Sequence, residues 1–117
     1  MADVKCAFCE IIAGRAPATF VQRWLDVDAI VPLKPVVPGH VLVIPSEHVM
    51  DFADSPRISA VTMTRAAEYA ASIDGACNLI TSKGRAATQS VFHLHLHVVP
   101  RTVNDGLALP WHPGKRG

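Results

Sequence analysis

Val91-Phe92-His93-Leu94-His95-Leu96-His97-Val98-Val99-Pro100 alternates imidazole and aliphatic side chains one for one from His93 to Val98. Side chains along a β-strand point to opposite faces with a period of two. In a strand His93, His95 and His97 therefore share one face, while Leu94, Leu96 and Val98 bury the other. In a helix the same residues spread around the cylinder and build no face. Pro100 has no N–H to give a sheet ladder and is expected to end the strand. The spacing predicts a strand over residues 91–99.

Half of the chain's six histidines lie in this stretch. Neutral imidazole can attack an electrophile, carry a proton or bind a metal, and its ordinary pKa of about 6.5 suits all three near neutrality. A single histidine there would most simply be a hydrogen-bonded core residue. Three on one face carry six ring nitrogens, which apolar surroundings cannot satisfy.

The chain outside this stretch reads as one small domain. Its 117 residues, half of them hydrophobic, suffice for a single core over residues 1–117. A net charge of +1 gives no sign of nucleic-acid or membrane-surface binding. No apolar run is long enough to cross a bilayer. Met1-Ala2-Asp3-Val4-Lys5 lacks the apolar core of a signal peptide, so a cytoplasmic location is expected. Three cysteines in a reducing compartment do not make a disulfide framework.

Turn signals divide the rest. Residues 6–13 form one or two helical turns before Gly14 and Pro17. Residues 19–24 and 27–33 form two strands, with Pro32 forcing an edge position or an early end to the second. Pro38-Gly39 makes a turn, then the apolar run 41–44 is a central strand stopped by Pro45. Ser55-Pro56 starts the main helix with a capping hydroxyl and a proline in the first turn, and Gly75 is its expected stop. Residues 77–81 form a strand, 82–89 a polar loop, and 101–117 an irregular end docked through Trp111. Strands in hairpins with one main helix and one short N-terminal helix predict an α+β domain on an antiparallel sheet.

Cys6-x-x-Cys9 is a two-ligand chelate of the kind found in zinc sites. Alone it could equally be two idle thiols. A closed tetrahedral site needs two more donors, and His48 and His93 are the candidates.

Gln89 to Val99 resembles the histidine triad (HIT) family of nucleotide hydrolases and transferases, whose pattern His-φ-His-φ-His-φ-φ (φ apolar) is complete here. The resemblance extends to residues 6–12, 38–48 and Pro100-Arg101. It implies the HIT-like fold, a five-stranded antiparallel sheet carrying one long helix, and a homodimer. It implies structural zinc on Cys6, Cys9, His48 and His93. It makes His95 the nucleophile that takes up a nucleotidyl group, His97 an orienting or polarising partner, and Ser82, Gln89 and Ser90 the substrate-binding loop residues. The implied reaction is hydrolysis of a nucleoside phosphoramidate or dinucleoside polyphosphate to a nucleoside monophosphate. His97 stands where the transferase branch has Gln, which favours hydrolysis. Three positions depart from the pattern. Pro32 stands where many relatives carry an acid that holds the ribose hydroxyls, Ser82 stands for Asn, and Thr88 stands for Gly. The alternative is a nucleotide-binding module with weak or no turnover. A module in which the histidines serve only the metal leaves His95 and His97 unexplained, since four ligands already exist.

Overall fold

The computed structural model describes residues 6–115. Chain order is α1 (Ala7–Ile12), β1 (Phe20–Arg23), β2 (Val27–Ile30), β3 (Val41–Pro45), α2 (Pro56–Ala71), β4 (Ala76–Ile80) and β5 (Leu96–Arg101). The strands form one antiparallel sheet in the order β1-β2-β3-β5-β4. This is the expected α+β architecture, with the apolar run of β3 in the middle position. Every residue of β3 is buried, as a strand covered on both faces requires.

Two apolar layers sandwich the sheet. On one face α2 packs through Ile58 and Ala66 onto Val27, Ala29, Val41, Val43, Leu94, Leu96 and Val98. On the other, α1 lays Phe8 against Ile30, Leu42 and Ile44. The aliphatic partners of the histidines thus all fall in the α2 layer, as the period of two requires. Among the described residues no helix is long and apolar enough to cross a membrane.

The helix ends follow their local chemistry. Cys6 caps α1, its thiol accepting from the Cys9 N–H at 3.2 Å. Ser55 caps α2, its hydroxyl accepting from the Ile58 N–H at 3.3 Å, and Pro56 takes the first turn where its missing N–H costs nothing. The helix stops at Ser72, short of the expected Gly75. Gly75 instead supplies the left-handed φ of +89° that turns the chain into β4. Thr62 lies in the buried face although it is polar, because its hydroxyl donates to the Ile58 carbonyl at 2.8 Å.

Three further expectations need correction. The histidine strand does not run over 91–99: residues 91–95 bend, and the ladder begins only at Leu96, opposite Val43. Further back, the backbone finds other partners. The Leu94 N–H donates to the Val49 carbonyl at 2.8 Å, and the His95 carbonyl accepts from the Thr81 hydroxyl at 2.8 Å. Pro100 does not end β5; it lies within it, opposite Cys77 of β4. The pairing of β5 with β3 stops at Val98, so the missing N–H falls beyond that ladder. Trp111 is no anchor, being 79% exposed. Arg101 ties the end down instead. Its guanidinium donates to both Asp105 carboxylate oxygens, to Asn78 and to the Leu107 carbonyl.

Candidate functional site

The bend before β5 gathers four of the expected residues at the mouth of α1. Cys6 and Cys9 come from the first turn of that helix, His48 from the turn after β3, and His93 from the bend itself. Their donor atoms all lie within 4.8 Å of one another. Cys6 Sγ is 3.3 Å from His93 Nδ1, Cys9 Sγ is 3.3 Å from His48 Nδ1 and 3.5 Å from His93 Nδ1, and the two Nδ1 atoms are 3.1 Å apart. A tetrahedral zinc with ordinary bond lengths has N···N edges of about 3.3 Å and N···S edges of about 3.6 Å. The four donors are therefore placed to hold a metal ion.

The tautomer of His93 fits the same conclusion. Its Nε2 lies 2.8 Å from the Pro45 carbonyl, which can only accept, so the ring proton sits on Nε2 and the Nδ1 lone pair faces the cluster. Burial, opposed in part by that hydrogen bond and aided by His48 and His95, pushes the His93 imidazole down to about 4. Burial, together with the neighbouring Cys6, pushes the Cys9 thiol up to about 11. A bound cation reverses the second effect by deprotonating the thiols.

His95 and His97 stand beside the cluster, with ring centroids 5.2 Å apart. Phe8 packs edge-on against His95 at 5.1 Å and against His93 at 5.8 Å, so one aromatic ring separates α1 from both. The tautomer of His95 follows from a carbonyl, and that of His97 from a two-step chain that starts at a backbone N–H. His95 Nδ1 is 2.8 Å from the His93 carbonyl, so it carries the proton and leaves the lone pair on Nε2. His97 Nδ1 is 3.0 Å from His40 Nε2. The Val36 N–H donates to His40 Nδ1 at 3.1 Å, so His40 donates from Nε2, His97 accepts at Nδ1, and the His97 proton sits on Nε2. The site thus presents a lone pair on one ring and an N–H on the next. Burial lowers His95, and burial with repulsion from His95 and His40 takes His97 down to about 4. Both rings are neutral at physiological pH.

The loop before the bend is braced from within. Gln89 is buried. Its Oε1 accepts from the Gly84 N–H, and its Nε2 donates to the Met50 and Val91 carbonyls. The Gln89 side chain, expected to bind substrate, shapes the loop, and in this arrangement its N–H groups are taken. Ser82 is half-buried just beyond β4. Ser90 is exposed and lines a cavity of about 420 Å³ with Cys6, His48 and Phe92. Thr88 adopts a left-handed φ of 72°, a costly conformation for a β-branched residue.

Sequence reading missed His40 and Thr81. The signal for His40 is a histidine directly before the central strand. Thr81 looked like a strand end, and nothing local marks its bond to His95.

The HIT domain family model matches residues 13–104. An uncharacterised HIT-like protein of Mycobacterium tuberculosis is 39% identical over 113 residues, covering 91% of this chain and 78% of that protein. An adenylylsulfatase of Arabidopsis thaliana is 32% identical over 108 residues, covering 87% of this chain and 55% of that protein. The crystal structure of a zinc-bound histidine triad family protein from Mycobacterium smegmatis superposes with a TM-score of 0.76 at 36% identity, covering 89% of this chain and 80% of that one. With a complete triad, a shared fold and this extent of similarity, the chain belongs to the HIT family.

Proposed function

We propose that this protein is a nucleotide hydrolase in which His95 Nε2 attacks phosphorus. The observation that carries the reading is the 2.8 Å contact between His95 Nδ1 and the His93 carbonyl. It leaves the free lone pair on Nε2, and the same carbonyl stabilises the cation that forms when that nitrogen takes up a phosphoryl group. In the first step a P–N or P–O bond to the leaving group breaks as the N–P bond forms, and the leaving atom takes a proton. In the second, water attacks phosphorus, the N–P bond breaks, and the water proton restores the balance. The product is a nucleoside monophosphate, and the substrate is a nucleoside phosphoramidate or dinucleoside polyphosphate. The His97 Nε2–H, on the ring 5.2 Å from that of His95, is the donor offered to the phosphoryl oxygens or leaving atom. Ser82, Ser90 and the loop amides supply further donors, with Gln89 holding the loop in shape. The adenylylsulfatase relative supports chemistry at an adenylyl phosphorus.

The proposal includes zinc, in a structural role, held by Cys6, Cys9, His48 and His93. Four protein ligands leave no open position for water, so the ion would tie α1 to the triad bend. The zinc-bound relative supports this choice of metal. It also includes a homodimer, for which the exposed Val103 and Trp111 offer apolar surface. A light-scattering mass of twice 12.6 kDa supports the dimer, and a single mass refutes it.

The test compares wild type and His95→Ala on adenosine and guanosine phosphoramidates and on diadenosine polyphosphates. Turnover by wild type that falls at least about a thousandfold in a folded variant supports the hydrolase. Nucleotide-dependent thermal stabilisation without turnover on any substrate supports the alternative, a nucleotide-binding module, which Pro32 at the rim of the apolar pocket favours.

A further inference from the structure

The ladder between β4 and β5 closes with Ile80 opposite His97. One residue further on, a side chain takes over from the backbone. The Thr81 hydroxyl donates to the His95 carbonyl at 2.8 Å in a partly buried bond. Its direction is fixed, because a carbonyl oxygen only accepts.

The bend that carries His95 lies outside the strand, so contacts of this kind hold it. The Leu94 N–H reaches the Val49 carbonyl, His93 Nε2 reaches the Pro45 carbonyl, and Thr81 takes the carbonyl of His95 itself. The His95 ring then folds back, and its Nδ1–H meets the His93 carbonyl two residues earlier. That bond closes only while the peptides on either side of Leu94 and His95 keep their orientation. The tautomer of a histidine follows the bond that its other nitrogen makes. Through the peptide, Thr81 therefore acts on which nitrogen of His95 carries the lone pair and on where that lone pair points.

The place of Thr81 in the chain adds to this. It directly precedes Ser82, where the loop read as substrate-binding begins. One hydroxyl thus ties the start of that loop to the nucleophile. Displacing a reacting atom by about 1 Å costs on the order of a hundredfold in rate.

We infer that Thr81 is a positioning residue for His95: its hydroxyl anchors the bend so that Nδ1–H meets the His93 carbonyl and Nε2 faces the phosphorus. The inference rests on the hydrolase reading for the role of His95. Without the hydroxyl, the His95 carbonyl turns toward water and the ring loses its single tautomer.

The test uses Thr81→Val, which keeps the shape and deletes the hydroxyl, and Thr81→Ser, which keeps the hydroxyl. Long-range proton–nitrogen spectra of the imidazoles near neutrality read the His95 tautomer without any substrate, with His95→Ala identifying its signals. Wild type and Thr81→Ser are expected to show the Nδ1–H form alone, and Thr81→Val a mixture of both forms. On phosphoramidates, kcat of Thr81→Val is expected to fall at least about tenfold with KM within about twofold, while kcat of Thr81→Ser stays within about threefold of wild type. A folded Thr81→Val that keeps the single tautomer overturns the inference. So does an unaltered kcat, or a Thr81→Ser variant as slow as Thr81→Val. Thr81→Ala takes the place of Thr81→Val should that variant not fold. A wild-type protein inert on every substrate sinks the hydrolase reading, and the spectra alone then decide for or against Thr81.

Discussion

His40 Nε2 donates to His97 Nδ1 across 3.0 Å, and the direction of that bond is set by the Val36 N–H on the far side of the His40 ring. One backbone amide in the loop before β3 thus decides which nitrogen of a triad histidine bears its proton. Removing the middle of the chain should free the His97 ring to take either tautomer. His40→Ala is expected to lower kcat by about a hundredfold, the usual scale of a misdirected proton donor. It should leave nucleotide binding within a few-fold. Steady-state kinetics beside a binding titration check this; an unaltered kcat removes His40 from the reaction.

Acid should weaken the fold through His97. Its folded value of about 4 lies below its ordinary 6.5, first because it is buried and then because His95 and His40 face it. A group depressed on folding contributes stability that is complete above its unfolded value and is lost as pH falls through the folded one. The window is therefore pH 6.5 down to about 4. Urea midpoints across that range should fall more steeply for wild type than for His97→Gln. Parallel curves would show that His97 contributes nothing to the linkage.

Metal removal should loosen the N-terminal helix from the triad bend, because an ion held by Cys6, Cys9, His48 and His93 would join the two through their facing donor atoms, leaving the Phe8 ring contacts to hold them. Protein purified without added zinc should carry about one equivalent per chain. Cys9→Ser should lower both the zinc content and the melting temperature, the latter on the order of 10 °C, the shift of about 2 kcal/mol in a domain of this size. A metal-free sample that melts with wild type would refute the structural role.

The last stretch of chain should be released by one substitution. Arg101 holds Asp105 at 2.7 and 3.0 Å and reaches Asn78 and the Leu107 carbonyl. The Arg101 guanidinium and the Leu107 N–H keep the Asp105 carboxyl well below the usual carboxylate range. Arg101→Met is expected to lower the urea midpoint and to make residues 102–115 cleavable by trypsin at Lys115 and by chymotrypsin at Trp111 before the rest of the domain. For wild type the stability that Asp105 contributes should begin to fall below about pH 4, where the released carboxyl takes up a proton that the paired one refuses. Limited proteolysis with mass spectrometry at neutral pH reads the variant, and hydrogen exchange of residues 102–115 across the acid range reads the wild type.

The amino-acid order alone carried much of this protein. The alternation from His93 to Val98 separated imidazoles from aliphatics, and the α2 layer indeed holds Leu94, Leu96 and Val98. Ser55-Pro56 announced the main helix, and Cys6-x-x-Cys9 announced a chelate, because caps and short-range ligand pairs act over three or four residues. What folding decided was everything that depends on partners distant along the chain. The ladder begins at Leu96 because Val49 and Thr81 claim the backbone before it. Gln89 braces its own loop because Gly84, Met50 and Val91 surround its amide. His40 meets His97 only because β3 lies against β5. Side-chain type and spacing say which groups are available, whereas a hydrogen bond's direction depends on which fixed donor or acceptor stands opposite, and only the packed chain supplies that.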